Sequence, residues 1–216
     1  MIPGLFSGTS PYSRYTLPIM ENNENKLRKI ISGPTFGVTD VSVKREMWKE
    51  IADEMNGEFH IRKTTSHDIE MHNIFIPYKK WKIEISVSDI KPLKFHVQFT
   101  SHQLFELELS WEDLIEKIRK KFGASDVELG SKEFDHHYII KSDRPYVVKE
   151  LLTKDIQKIF LKYNIYSLTY HSEKDSTNSA LTGIIQKIPG NKEMILELIS
   201  TFKLLIDHLE KARIIG

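Results

Sequence analysis

Apolar and polar residues alternate through three successive runs between Trp81 and Leu109. Trp81, Ile83, Ile85 and Val87 alternate with Lys82, Glu84, Ser86 and Ser88. Phe95, Val97 and Phe99 alternate with Lys94, His96 and Gln98, and Phe105, Leu107 and Leu109 with Glu106 and Glu108. Strand side chains point to opposite faces in turn, so this period of two predicts strands with one buried and one wet face. Asp89 to Pro92 and Thr100 to Gln103 are short polar turns, so the runs read as an antiparallel meander. A chain with this stretch is organised around a sheet.

Helical stripes flank the meander. Residues 40–56 place Val43, Met47, Trp48, Ile51, Ala52 and Met55 on one helix face, with Asp40 or Ser42 as cap and Gly57 as stop. Phe59 and Ile61 then alternate with Glu58, His60 and Arg62 as a strand, Lys63 to Asp68 turns, and Ile74 and Ile76 sit on a second strand cut at Pro77. Ser110 reads as the cap of a helix burying Leu114, Ile115, Ile118 and Phe122, stopped by Gly123. Ile165 to His171 and Ala180 to Ile188 form a hairpin around the polar loop Ser172 to Ser179. Pro189, Gly190 and Asn191 open a long C-terminal helix. Its stripe of Ile195, Leu198, Ile199, Phe202, Leu205, Ile206 and Leu209 is widened by Met194, Leu196 and Leu204.

Between these parts lies Glu133 to Leu152. Phe134, His136, Tyr138 and Ile140 fall on one face of an extended segment, and Asp135, His137, Ile139 and Lys141 on the other. Ser142 or Asp143 can cap the helix that follows. Pro145 suits its first turn, and Val147, Val148, Leu151 and Leu152 form its stripe. Thr153 starts another helix, with Ile156, Ile159, Phe160 and Tyr163 inward.

The architecture expected is α+β: a mostly antiparallel sheet, meander plus later hairpin, packed against helices, with a long C-terminal helix. Residues 1–36, punctuated by four prolines, are expected to be irregular, apart from a short helix at Asn23 to Ser32. Residues 37–216 make a single domain, with two packed halves, 40–123 and 127–216, as the alternative.

Composition excludes several functions. There is no cysteine, which removes thiol catalysis, disulfides and cysteine metal sites. A net charge of +1 offers no global attraction to nucleic acid or anionic membrane. No stretch approaches the apolar length of a spanning helix, and no signal-peptide pattern opens the chain. P-loop, G-x-G-x-x-G and G-x-S-x-G motifs are missing.

The remaining chemistry is thin. Asp135 and His137 share a strand face and are the candidate catalytic or metal-ligating pair, with His60, His67, His72 or His171 as a third ligand. Zinc takes three or four such ligands, and none of these spacings is a ligand signature, so no metal or cofactor is expected. Glu106 and Glu108 share the wet face of a strand, as an acid–base pair or as plain surface. Lys79, Lys80 and Lys82 flank Trp81 in a way that can serve single-stranded nucleic acid, but Trp81 is in phase with the core residues Ile83 and Ile85, so nucleic acid is not the expected partner.

The run Gly130-x-x-x-Phe134-Asp135-x-x-Tyr138-x-Ile140-x-Ser142-Asp143, followed by a helix with Leu151-Leu152, resembles a pattern in a group of uncharacterised bacterial proteins. There a glycine precedes a strand carrying Phe-Asp, which ends at a Lys-Ser-Asp or Arg-Ser-Asn corner. The spacing of Trp48, Ala52 and Gly57 ahead of a strand fits the same group. The resemblance covers roughly residues 45–165. It implies an α+β domain of unknown function with no catalytic residues to carry over. It implies that Phe134 anchors the core and that Asp135 bonds backbone near the loop at Gly130. The expectation is a cytoplasmic, non-enzymatic binding or protein-interaction module. Its partner, or a second copy in a homodimer, would be met through the helix from Lys192 to Arg213. The alternative is a hydrolase, metal-dependent or not, using Asp135 and His137.

Overall fold

The computed structural model describes residues 41–63, 69–111, 126–173, 177–186 and 191–216. The expected irregular segment 1–36, with its helix at Asn23 to Ser32, lies outside the described residues. So does the stripe from Leu114 to Phe122.

The chain runs α1 (Val41–Glu54), β1 (Glu58–Lys63), β2 (Glu70–Tyr78), β3 (Trp81–Ser88), β4 (Lys91–Thr100) and β5 (Leu107–Trp111). It continues with α2 (Lys132–His137), β6 (Tyr138–Ser142), α3 (Pro145–Leu151), α4 (Lys154–Tyr163), β7 (Ile165–Ser172), β8 (Asn178–Ile185) and α5 (Lys192–Lys211). All eight strands form one sheet in the order β1-β2-β3-β4-β8-β7-β5-β6, and every pairing is antiparallel. The α+β architecture, the meander, the later hairpin and the long last helix are all present.

The meander is placed differently from expectation. It comprises β1 to β4, and β5 does not continue it. The free side of β4 is taken by β8, through eight register pairs from Leu93↔Ile185 to Thr100↔Asn178. β5 instead pairs with β7 and β6. Alternation reports which face a residue occupies but not which strand lies alongside.

A second difference lies at Glu133 to Lys141. Residues 132–137 are helical, and the strand begins only at Tyr138. In α2 the four-residue spacing brings Phe134 and Tyr138 together, with ring centroids 4.6 Å apart, while His136 and His137 stay exposed. The alternation of Phe134, His136 and Tyr138 is therefore carried mostly by a six-residue helix, with only Tyr138 in the strand. Ser110 is likewise strand, opposite Ile139 and Ser167, and the helix it was expected to cap lies outside the described residues. Val43, expected in the core stripe of α1, is 53% exposed. Pro77 does not end β2, which runs to Tyr78. β1 pairs only as far as Phe75, so proline's missing amide falls where no neighbour needs it.

Several expected corners hold in position but not in chemistry. Pro145 opens α3, yet Ser142 and Asp143 are turned toward β5: Ser142 Oγ donates to Glu106 O, and Asp143 Oδ1 accepts from Glu106 N. Thr153 stands at the start of α4 without a side-chain cap bond. Asn191 does cap α5, its Oδ1 accepting from Met194 N at 3.0 Å.

All described helices lie on one face of the sheet. That face carries Ile74, Ile76, Ile83, Ile85, Phe95, Val97, Leu107, Leu109, Ile140, Leu168 and Leu181, each almost fully buried. The broad stripe of α5 packs onto it, with Ile195, Leu198, Ile199, Phe202, Leu205, Ile206 and Leu209 at 0% exposure. Burial of such side chains contributes about 1.5–3 kcal/mol each, far more than helix propensity, so packing holds α5 in place. Of the residues that widen the stripe, Met194 and Leu196 are half-buried and Leu204 is 40% exposed. Trp81 points inward as its phase predicts, 8% exposed and edge-on to Phe99.

Gly183 is required at the centre of this packing. A Cβ there would meet Phe202 Cζ at 2.2 Å, and the Phe202 ring is stacked on Phe95 with centroids 4.3 Å apart. Gly183→Ala is expected to cost roughly 1–3 kcal/mol through overpacking, read as a lower urea midpoint.

Charged groups fasten the meander edge. Arg45 of α1 donates to both carboxylate oxygens of Glu70, through Nε to Oε2 at 2.8 Å and through Nη2 to Oε1. This holds the Glu70 carboxyl below its ordinary pKa. His72 Nε2 lies 3.5 Å from Glu70 Oε2, its ring edge-on to Phe59. Burial pushes the His72 pKa below its ordinary 6.5, against a smaller upward pull from Glu70. The unfolded chain therefore takes a proton near pH 6.5 that the folded chain resists. Stability is full above that pH and falls as pH drops through it, and His96, also lowered by burial, adds with the same sign. The loss in urea midpoint between about pH 7.5 and about pH 5.5 is expected to shrink in His72→Gln.

Candidate functional site on the bare sheet face

The other face of the sheet has no described helix over it. The same alternation that sends Ile83 and Phe95 inward sends Lys82, Glu84, Lys94, His96 and Gln98 outward. Register sets Glu84 opposite both Phe75 and His96, and His96 opposite Thr182. These residues come from β2, β3, β4 and β8, so sheet pairing alone gathers them.

They form an open depression of about 710 Å³, lined by Phe75, Lys80, Trp81, Lys82, Glu84, His96, Gln98, Phe99, Thr100, Asn178 and Gly216. A smaller hollow of about 270 Å³ shares Phe75, Lys80, Trp81 and Lys82 and extends it toward Asn56 and Gly57. Gly57 fits here because a Cβ would stand 2.6 Å from Phe75 O. The two hollows make one trough with the half-buried Phe75 ring in its floor, the largely buried Trp81 and Phe99 at the strand ends beside it, and a partly basic rim. Lys82 Nζ lies 5.3 Å from the Phe75 ring centroid, and Lys80 Nζ lies 5.4 Å from that of Trp81.

The His96 ring is held in place. Its Nδ1 is 2.9 Å from Thr182 Oγ1, across the seam between β4 and β8. Burial lowers its pKa and Lys94 adds to this, while Glu84 pulls it up. The imidazole is therefore neutral near pH 7 and offers a hydrogen bond rather than a charge. Lys80 and Lys82 supply the positive charge, Glu84 the negative, and Gln98 a further polar group.

The pair singled out from sequence lies elsewhere. Asp135 and His137 sit on α2 beside β6, at the far edge of the sheet from the trough. Two residues apart on a helix are about 200° apart around its axis, so the face they share in an extended segment is lost. Asp135 is committed to backbone: Oδ1 accepts from Leu129 N at 2.9 Å and Oδ2 from Gly130 N at 2.8 Å, where Gly130 has φ +81°. His137 is exposed, its ring against those of Trp111 and Tyr138. Of the possible third ligands, His60 meets Glu58 at 3.2 Å, His72 sits by Glu70, and His171 Nδ1 meets Glu106 Oε2 at 2.8 Å. His67 lies outside the described residues. Among the described residues no three His, Asp or Glu side chains are grouped to hold a metal ion. Glu106 is taken up by His171 and by the backbone amide of Ser172.

Sequence reasoning missed the trough. The alternation marks each lining residue as outward-facing, but the register and the seam with β8 that assemble them have no local signature.

No protein-family model and no curated protein matches this chain. Among solved structures, the crystal structure of the mycobacterial trehalose monomycolate transport factor A is similar, with a TM-score of 0.49 and 9% sequence identity, over 76% of this chain and 93% of that one.

Proposed function

We propose that this protein is a non-enzymatic binding module that takes a protein partner on its bare sheet face. The observation that carries this is the trough: an open depression with the Phe75 ring in its floor, a basic rim and fixed polar groups, on the face the described helices leave uncovered. The floor suits an apolar or aromatic side chain, and Lys80 and Lys82 suit a carboxylate beside it. The partner segment inferred is acidic and aromatic. Open to solvent, the trough does not shelter a reaction from water, which favours recognition over catalysis.

A random peptide display selected against the pure protein tests the reading. Acidic-aromatic peptides should be enriched, and their binding should shift the amide resonances of Phe75, Lys82, Glu84, His96 and Gln98. The double variant Lys80→Glu/Lys82→Glu should weaken them roughly tenfold, the worth of two exposed ion pairs, without changing the melting temperature by much. Selection of nothing, or of peptides that shift other residues, rejects the trough as the site.

The other reading is a hydrolase that uses Asp135 and His137. Its requirement is that Asp135→Ala leave the fold intact and remove an activity. With two backbone amides bonded to that carboxylate, Asp135→Ala is instead expected to lower stability by about 1–3 kcal/mol, measured by urea unfolding.

A further inference from the structure

The two edges of the sheet are finished differently. At β6 the outer side is occupied, since Val127 N donates to Ile140 O and Asp126 bridges Lys141. At β1 one side pairs with β2, and among the described residues nothing pairs with the other. A bare strand edge presents a row of unused amides and carbonyls.

From this edge we infer that β1 pairs antiparallel with β1 of a second copy of the chain. The argument is self-complementarity in one register. Glu58, His60 and Arg62 lie on the trough face of the sheet, and Phe59 and Ile61 on the helix face. A two-fold axis perpendicular to the sheet keeps these faces in common, so facing residues must have the same parity. The register centred on His60 then sets Glu58 against the partner's Arg62 and Arg62 against the partner's Glu58. It also sets Phe59 against the partner's Ile61, covering a side chain that is 40% exposed in the single chain. The register centred on Ile61 sets His60 against Arg62 and Phe59 against Lys63, and both gains vanish. Charges on an edge strand commonly repel other strands. Here their signs and spacing match their own reverse. The pairing makes one continuous sheet with both troughs on the same side.

Light scattering of the purified chain over a concentration series tests this. With only Glu58 to Arg62 paired in this register, little area is buried, so the dimer should form with rising concentration rather than at all concentrations. Arg62→Glu, with far-UV circular dichroism to confirm folding, should be monomeric at concentrations where the unaltered chain is dimeric. The double variant Glu58→Arg/Arg62→Glu should regain the dimer. Mixing Glu58→Arg with Arg62→Glu should give a heterodimer that neither forms alone. A chain monomeric up to about 1 mM, a dimer indifferent to Arg62→Glu, or a double variant that stays monomeric overturns the inference. In the first case the charges of β1 act as edge protection.

Discussion

The pairing of β4 with β8 is the contact on which the rest depends. It joins the meander that comes first in the chain to the hairpin that comes last. Gly183 sits in this seam, and the missing side chain leaves room for Phe202 to lie flat against Phe95. That stack fixes how deeply α5 settles onto the sheet. α1, α3 and α4 then pack beside α5 on the same face. Polar ties secure the ends of the arrangement: Tyr78 donates to Asp207, and Lys79 bridges Asp207 and Glu210, holding the β2–β3 turn to the last turns of α5.

The two faces of the sheet have separate work. The helix face holds the apolar core and sets stability. The bare face carries residues whose partners are other surface groups, such as His96 with Thr182 and His171 with Glu106. Such pairs add little to stability, but they fix side-chain positions. A substitution on the bare face can therefore change what the protein recognises while the core stays intact.

The elements with a single strong period were legible in the sequence. β3 alternates from Trp81 to Val87, and β4 from Leu93 to Phe99, because each buries one face there. α5 shows its stripe because the core needs every residue of it. Where two periods coincide the reading failed. Phe134 and Tyr138 are four apart, which serves a helix turn and a strand equally well, and the helix prevailed because Asp135 bonds the amides of Leu129 and Gly130. Strand order was also hidden. The polar turn after β4 suggested that β5 lay next door, yet no local residue reports that β8 occupies that place. The trough was invisible for the same reason, because it exists only once β4 and β8 are neighbours. The sequence-level pair Asp135 and His137 depended on an extended backbone that the chain does not have there.

The seam also shapes how the molecule comes into being. Phe95 must find Gly183, and Val97 must find Leu181, partners far apart in the chain. During synthesis the meander emerges first, with the second edge of β4 uncovered and Leu93, Phe95 and Val97 without α5 above them. Loop-closure entropy has to be met before these distant contacts return it. The nascent chain therefore passes through a stage with a sticky apolar strand at its rim, and its safe passage depends on how quickly the last third arrives.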